Sequence, residues 1–297
     1  MSGRAPPPGA WRCYCLAMTT KLDALPRLSR AWLFSIVSLA GGLAALGGLF
    51  HETLAEMATL WTHSSAYNHA WLVPLVSLWL IRETREPLPS PRAGMLGLPL
   101  IGVAVVVWYF SRRAGIAEGS HFALMAMVQG LFLTVLGLAA YRAMLFPLSY
   151  LWLMVPTGAF LIPALRRIAT DGSAWLLRAS GIPVYEENFV FETPSGVYWI
   201  EPGCAGLNFL LASLALSLAF VAVTYRGWGK RLAGVAVALA VAVVGNAVRI
   251  WGIIAIAHVT KHRVDIVDDH LLWGWGFFAV LMMAAMAVGL RFRDREV

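Results

Sequence analysis

Three residues near the ends of the last apolar segments carry side chains that could do chemistry together: Cys204, Arg249 and His270. Cys204 begins an apolar run, so we expect its sulfur near a helix N-terminus, where the macrodipole and free N–H groups favour thiolate over thiol. Arg249 lies about 17 residues into a second run, and His270 stands at the start of the last one. A thiolate nucleophile, a cation and an imidazole base are the groups of covalent acyl transfer.

Each of the three residues also has a plain structural interpretation. Cys204 lies between Gly203 and Ala205, where it could pack as a small apolar side chain. Arg249 could extend its guanidinium to the outer headgroups. His270 could be a polar residue of the membrane interface. The sequence predicts that the three groups have similar depth on consecutive spans, which is compatible with contact but does not establish it.

Two polar residues accompany these groups. Asn246 precedes Arg249 by three positions and so shares its helical face, where both could line one polar cavity. Glu201 precedes Cys204 by three positions. We expect Glu201 to have a structural or orienting role, because a carboxylate there opposes thiolate formation unless it pairs with Arg249 or His270.

Composition indicates a membrane protein. Of the 297 residues 59% are hydrophobic and 13% are charged, against about 25% charged in soluble domains. The net charge of +7 comes from basic residues in short loops between apolar runs, so it reports topology and not a nucleic-acid partner. The three cysteines are too few and too scattered for a disulfide framework. A zinc site remains an alternative for His258, His262 and His270, but we expect neither metal nor cofactor.

The predicted fold is an all-α polytopic membrane protein with about eight transmembrane helices. A helix that crosses the hydrocarbon needs about 20 mostly apolar residues. Seven runs satisfy this, at 31–50, 93–110, 122–140, 143–163, 204–225, 232–257 and 271–290. An eighth, 61–81, is polar at first and apolar afterwards, which predicts a partly buried helix or, alternatively, a re-entrant segment.

The distribution of basic residues predicts the orientation. Eight crossings with both termini inside place 15 of the 23 Lys and Arg residues on the cytoplasmic side and 7 outside, with Arg249 within a span. The expected domains are a disordered cytoplasmic segment at 1–30, a transmembrane domain at 31–290 and a basic cytoplasmic tail at 291–297. The reactive groups then lie near the outer face.

The longest segment between spans, 164–203, is predicted to lie on the outer face. Its first half, 165–180, alternates apolar and charged residues as an interfacial amphipathic helix does. Two β-prone runs, 189–192 and 197–200, flank the turn-rich residues 193–196, which predicts a short hairpin. The hairpin leads the chain directly to Cys204.

The ordered motifs of this chain resemble the exosortase/archaeosortase family over roughly residues 50–290. The similar motifs are Cys-Ala-Gly at 204–206 after a short extended segment, Asn-Ala-Val-Arg at 246–249, and His270 before Gly274-Trp275. The run 67–74, with Tyr67 and His69 before Leu-Val-Pro, resembles the family's early motif. The chain departs in having Ala205 where many relatives carry Ser, with Asn208 close behind, which we expect to affect subfamily and substrate motif.

The resemblance implies a cysteine transpeptidase or protease in a bacterial inner membrane. Its substrates would be membrane-anchored proteins with a C-terminal sorting signal, made of a short motif such as Pro-Glu-Pro, a hydrophobic helix and a basic tail. An amine, lipid or glycan could be the acceptor. Cys204 would match the nucleophile, His270 the base and Arg249 the third catalytic residue. Supporting or substrate-binding roles are expected for Asn246, Glu201, Asn208, Tyr67 and His69.

Two other classes of function remain as alternatives. In a transporter or channel, Arg249, Asn246 and the polar part of 61–69 would line a substrate path. Such a protein should contain inverted repeats or paired broken helices, and the sequence indicates neither. A scaffold protein without chemistry would tolerate substitution of Cys204 and His270.

Overall fold

The computed structural model describes residues 29–84, 87–261 and 270–294, without the side chains of 270–273. Helices make up most of this part of the chain. They are α1 (Arg30–Leu49), α2 (His51–His63), α3 (Val73–Arg82), α4 (Gly97–Arg113), α5 (Ala117–Ala143), α6 (Leu145–Tyr150), α7 (Ile162–Ala179), α8 (Leu207–Thr224), α9 (Trp228–Thr260) and α10 (His270–Leu290). Three strands, β1 (Tyr185–Glu187), β2 (Val190–Thr193) and β3 (Gly196–Trp199), form an antiparallel sheet in the order β1-β2-β3.

The apolar helices show a polytopic helical membrane protein. Within the described residues, four helical segments are long and apolar enough to cross a bilayer: α1, α5, α9, and α8 together with the turn that precedes it. A fifth candidate is a pair of helical segments, Leu145–Met154 and Ala159–Ala179, bent by 65°. The helix α3, with 10 residues, is shorter than a full span, and α4, with 17 residues, is at the lower limit of a span. The count of eight crossings stays a prediction.

The predicted span 143–163 is not one continuous helix. The short helix α6 and a 3₁₀ turn, Leu151–Met154, run to a break at 155–158, where Gly158 has a φ of 98°. Pro156 lies in this break, and proline removes a backbone donor that a continuous helix needs. The chain then turns into α7, which extends the predicted amphipathic helix 165–180 at its start. The apolar residues of the predicted span 143–163 are therefore divided between α6 with its 3₁₀ turn and the beginning of α7.

The predicted span 61–81 is also divided. Its first residues end α2, and a turn and a 3₁₀ segment, Asn68–Trp71, lead into α3. Polar residues at 62–69 favour the turn, and Pro74 lies in the first turn of α3, where its missing N–H costs nothing. The Trp61 indole Nε1 donates to the carbonyl of Met154 at 2.8 Å. This bond joins the two broken segments of the fold.

A short helix that the sequence did not predict, α2, follows α1. Its two acidic residues bind one arginine at the end of α4. Arg112 Nη1 donates to Glu56 at 2.5 Å, and Arg112 Nη2 donates to Glu52 at 3.0 Å. The ion pairs hold α2 against the end of α4, across a sequence separation that no local pattern reveals.

The helix α5 is kinked at Gly137, whose backbone has φ 74° and ψ 167°. The carbonyls of Leu136 and Thr134 beside the kink accept hydrogen bonds from the backbone N–H groups of Arg92 and Gly94, at 3.1 and 2.8 Å. An added methyl group on Gly137 would collide with the Arg92 carbonyl. The kink therefore depends on glycine both for its backbone angles and for this close approach.

Gly137→Ala is expected to lower the free energy of unfolding by about 2 to 4 kcal/mol, since these angles are open almost only to glycine and the methyl group overpacks the site. Thermal unfolding in detergent measures the effect. The control is Gly102→Ala in α4, where an added methyl group meets no atom within 4 Å. Equal midpoints for the two variants would contradict this account of the kink.

The sheet and α7 pack together beside α9. The predicted hairpin is present, with Thr193 paired with Gly196 at its turn, while β1 is an additional strand. Phe191 is completely buried and packs in one cluster with Leu177 of α7 and Ile250 and Ile254 of α9. This cluster fixes the outgoing end of β3, and so the segment that leads to Cys204.

One end of the molecule gathers four segments that the sequence assigns to the cytoplasmic side. Residues from 80–84, 143–147, 222–231 and 293–294 line a single polar cavity of about 380 Å³. Asp294 accepts from the backbone N–H of Arg226 at 2.7 Å and binds the Lys230 ammonium. These contacts hold the pKa of the Asp294 carboxyl below its usual value, the Arg226 N–H contributing most. The four segments therefore share one end of the fold, and the side of the membrane that this end faces stays a prediction.

Candidate active site

Cys204 lies in a 3₁₀ turn, Pro202–Ala205, that follows the hairpin and precedes α8. We call Pro202–Ala205 the cysteine turn. Its backbone N–H donates to the Glu201 carbonyl at 2.9 Å. The helix begins at Leu207, after Gly206 with a φ of 84°. The predicted helix start at Cys204 is therefore three residues early, because the turn and Gly206 intervene. Cys204 is half-buried and forms no disulfide with the described residues.

A cavity of about 220 Å³ opens beside this turn. Two elements supply its walls: the end of the hairpin with the cysteine turn, and the second half of α9. The lining residues are Tyr198, Trp199, Ile200, Glu201, Cys204, Arg249, Ile250, Ile253 and Ile254. Three of the predicted site residues, Glu201, Cys204 and Arg249, thus share one cavity whose remaining walls are mainly apolar.

Arg249 brings the only guanidinium among the residues that line this cavity. Its side chain interacts with that of Cys204, both electrostatically and through a hydrogen bond. Its guanidinium carbon lies 5.5 Å from the centre of the Phe209 ring. Arg249 is the twenty-second residue of the 33-residue helix α9, so it lies about 32 Å along the helix from Trp228. That is about the thickness of the hydrocarbon core, which agrees with a position at one membrane boundary.

The third predicted residue, His270, is the first residue of α10, and its side chain lies outside the described part of the structure. Gly274, one helical turn later, touches Arg249. A methyl group built on Gly274 would lie 2.5 Å from Nε of Arg249. Positions 270 and 274 share one face of a helix. Gly274 is therefore the described residue through which α10 approaches Arg249.

Asn246 and Asn208, both predicted as supporting residues, have different surroundings. Asn246 is only 2% exposed, and its Nδ2 donates to the carbonyl oxygen of Cys204 at 2.8 Å. Asn208 is the second residue of α8 and is half-buried, but it does not line the cavity. The structure therefore brings Asn246 to the cysteine turn, while Asn208 does not line the cavity.

Tyr67 and His69 belong to the segment between α2 and α3. Tyr67 is buried in an apolar cluster with Trp61 and Leu124. The ring of His69 interacts with the backbone of Ala66 and Leu153. Neither residue lines the cavity of Cys204, although Ala66 beside them packs against the cluster that contains Ala205. Through Ala66, this segment therefore packs against the cysteine turn.

Arg166 of α7 is a site residue that the sequence analysis did not single out. Its Nε donates to the carbonyl of Ile200 at 2.6 Å, and its guanidinium carbon lies 4.0 Å from the centre of the Phe189 ring. Cation–π and hydrogen-bond contacts together fix the segment between β3 and Cys204. The only sequence signal was the charged face of an amphipathic helix, which does not reveal a partner 34 residues away.

The site is thus a half-buried thiol beside a guanidinium at one end of a bundle of apolar helices. The profile of the transmembrane exosortase family (Exosortase_EpsH) matches residues 61–287, which is most of the chain. The chain therefore belongs to the transmembrane exosortase family. Neither a curated protein nor a solved structure matches the chain significantly.

The family assignment bears on the alternatives. Exosortases are membrane cysteine proteases or transpeptidases, and the assignment gives no support to the transporter or channel alternative. Among the described residues, no group of three or more His, Cys, Asp or Glu side chains is placed to hold a metal ion. The zinc alternative depends on His262 and His270, whose side chains lie outside the described part of the chain.

Proposed function

We propose that this exosortase is a cysteine transpeptidase or protease that cleaves a C-terminal sorting signal from membrane-anchored proteins. The observation that carries the proposal is the shared cavity of Cys204 and Arg249, within the region that matches the family. The catalytic residues are Cys204, Arg249 and His270. The enzyme lies in a bacterial inner membrane with both termini in the cytoplasm, and the cavity faces outward.

The chemistry follows from the groups. The Cys204 thiolate attacks the scissile carbonyl carbon, and Arg249 stabilises the negative charge that develops on the carbonyl oxygen. His270 takes the thiol proton as the attack begins and donates it to the leaving nitrogen as the C–N bond breaks, which leaves an acyl group on sulfur. The oxygen of water, or an amine or hydroxyl of a lipid or glycan acceptor, then forms a new bond to the same carbonyl while the C–S bond breaks. His270 accepts the proton of the attacking group, and the sulfur leaves as thiolate.

The position of the cavity suits a substrate that is anchored in the same bilayer. A sorting signal with a hydrophobic helix and a basic tail holds its scissile bond at a fixed height above that helix, a Pro-Glu-Pro-like motif being the expected recognition element. Because enzyme and substrate share the bilayer, the scissile bond is already at the height of the nucleophile and does not have to find it by diffusion in three dimensions. The half-buried thiol at one membrane boundary supports this arrangement.

Interception of the acyl-enzyme tests the proposal. Membranes that contain the exosortase and a reporter with a C-terminal sorting signal are incubated with neutral hydroxylamine. Its nitrogen attacks the thioester and breaks the C–S bond, so we expect a hydroxamate at the new C-terminus of the processed reporter, measured by mass spectrometry. The Cys204→Ala chain provides the blank. If the wild-type enzyme still processes the reporter but no hydroxamate forms, a thioester intermediate is contradicted.

A further inference from the structure

The helix α9 holds Cys204 at two points that lie one helical turn apart. Asn246 donates its amide N–H to the main-chain carbonyl of Cys204 at 2.8 Å. Arg249, three residues later on the same face, interacts with the side chain of Cys204 and lines the cavity beside it. Main chain and side chain of one cysteine are thus in contact with one face of one helix.

The contact between Asn246 and the cysteine turn requires a glycine. Gly206 has a φ of 84°, and a methyl group built on it would lie 2.7 Å from Cγ of Asn246. Asn246 itself is 2% exposed. The reversal of the chain after Cys204 and the approach of the amide therefore form one tightly packed unit.

The side-chain amide of Asn246 uses its donor but not its acceptor within the described residues. Its Oδ1 is buried and accepts no hydrogen bond from the described residues. A buried acceptor without a donor costs about 1 to 3 kcal/mol. Within the described part of the chain, the bond to the Cys204 carbonyl is what the buried amide gains.

We propose that Asn246 is a positioning residue for the nucleophile. It fixes the rotation of the Cys204 carbonyl about the Cα–C bond, and so fixes the direction in which the side chain of Cys204 leaves the backbone. The thiol is thereby directed into the cavity beside Arg249. This inference rests on the proposed function, in which Cys204 attacks the substrate.

Two substitutions of Asn246 test the inference. Asn246→Asp keeps the shape and replaces the NH₂ donor with an oxygen, and Asn246→Ala removes the amide. We expect kcat for reporter processing to fall about 10- to 100-fold, since small displacements of a reacting group have effects of this order, while KM changes less than about twofold. Ser213→Ala is the control, because it removes a buried contact of α8 with Met282 that is remote from Cys204.

The reactivity of the thiol provides a second measurement that does not need a substrate. In the full chain with Cys13→Ser and Cys15→Ser, the rate of alkylation of Cys204 by iodoacetamide is measured against pH. Both Asn246 variants should change the rate or shift its pH profile, whereas Ser213→Ala should leave it as in the parent chain.

Several outcomes would overturn the inference. Unchanged kcat and an unchanged alkylation profile would remove the positioning role, and a rise in KM alone would make Asn246 a substrate contact. If both Asn246 variants fail to fold, Gly206→Ala displaces Asn246 without altering it, with Gly203→Ala as its control because a methyl group there meets no atom within 4 Å. A wild-type chain that processes no reporter contradicts the proposed function, while the alkylation profile still decides whether Asn246 positions the thiol.

Discussion

Cys204→Ala is expected to reduce processing of a sorting-signal reporter below detection. Alanine has no nucleophile, and removal of a nucleophile that acts together with a base costs roughly 10⁴- to 10⁶-fold in kcat. Cys204 is half-buried, and its small side chain borders the cavity, so its loss leaves the fold intact. Processing in cells that co-express enzyme and reporter, at matched membrane levels of the enzyme, measures the effect.

The other two cysteines of the chain provide the control for that experiment. The double variant Cys13→Ala and Cys15→Ala removes two thiols and keeps Cys204, and it should process the reporter at the wild-type rate. Full processing by Cys204→Ala would contradict the assignment of Cys204 as the nucleophile and would favour the transporter or scaffold alternative. Arg249→Ala and His270→Ala, tested in parallel, should both lose processing if the three residues act together.

Gly274→Ala is expected to reduce kcat about 100-fold with little loss of stability. The added methyl group would lie 2.5 Å from Nε and 3.0 Å from Cζ of Arg249, so the guanidinium must move. It is the end of a flexible side chain, and it can give way at a small cost in folding free energy. A guanidinium displaced by about 1 Å no longer meets the charge that develops on the carbonyl oxygen, and misplacement of that size costs on the order of 100-fold.

The matched control lies two residues further along the same helix. A methyl group on Gly276 meets no atom within 4 Å, so Gly276→Ala changes the helix propensity of α10 in the same way without touching Arg249. Processing rates and thermal midpoints of the two variants in detergent separate the effects. Equal processing by Gly274→Ala and Gly276→Ala would show that the position of Arg249 does not limit the reaction.

The elements that the sequence predicted well are those whose signal is local. The helices α1, α4, α8, α9 and α10 begin and end within a few residues of the predicted runs, because a span needs an apolar stretch of fixed length. The hairpin was predicted from a turn between two β-prone runs, and its register confirms that turn. Each of these features depends on residues close together in the chain.

The breaks in the fold were predicted less well. The run 143–163 is apolar enough for a helix, and 61–81 was predicted as a partly buried helix or a re-entrant segment. Both runs contain 3₁₀ turns that pack against each other, with Trp61 bound to the Met154 carbonyl. The kink at Gly137 likewise depends on Arg92, which lies 45 positions earlier. Composition within a run cannot reveal a hydrogen bond that is made to another run.

The sequence by itself determined a membrane protein, its family resemblance and three candidate catalytic residues, because apolar length and ordered motifs are properties of the chain. The tertiary structure decided that Cys204 and Arg249 share a cavity, that Asn246 binds the Cys204 carbonyl, and that Arg166 fixes the approach to the turn. Tyr67 and His69 belong to the same resemblance, yet they pack away from the cavity. Depth along a helix follows from residue number at 1.5 Å per residue, whereas contact between helices follows from how their side chains pack.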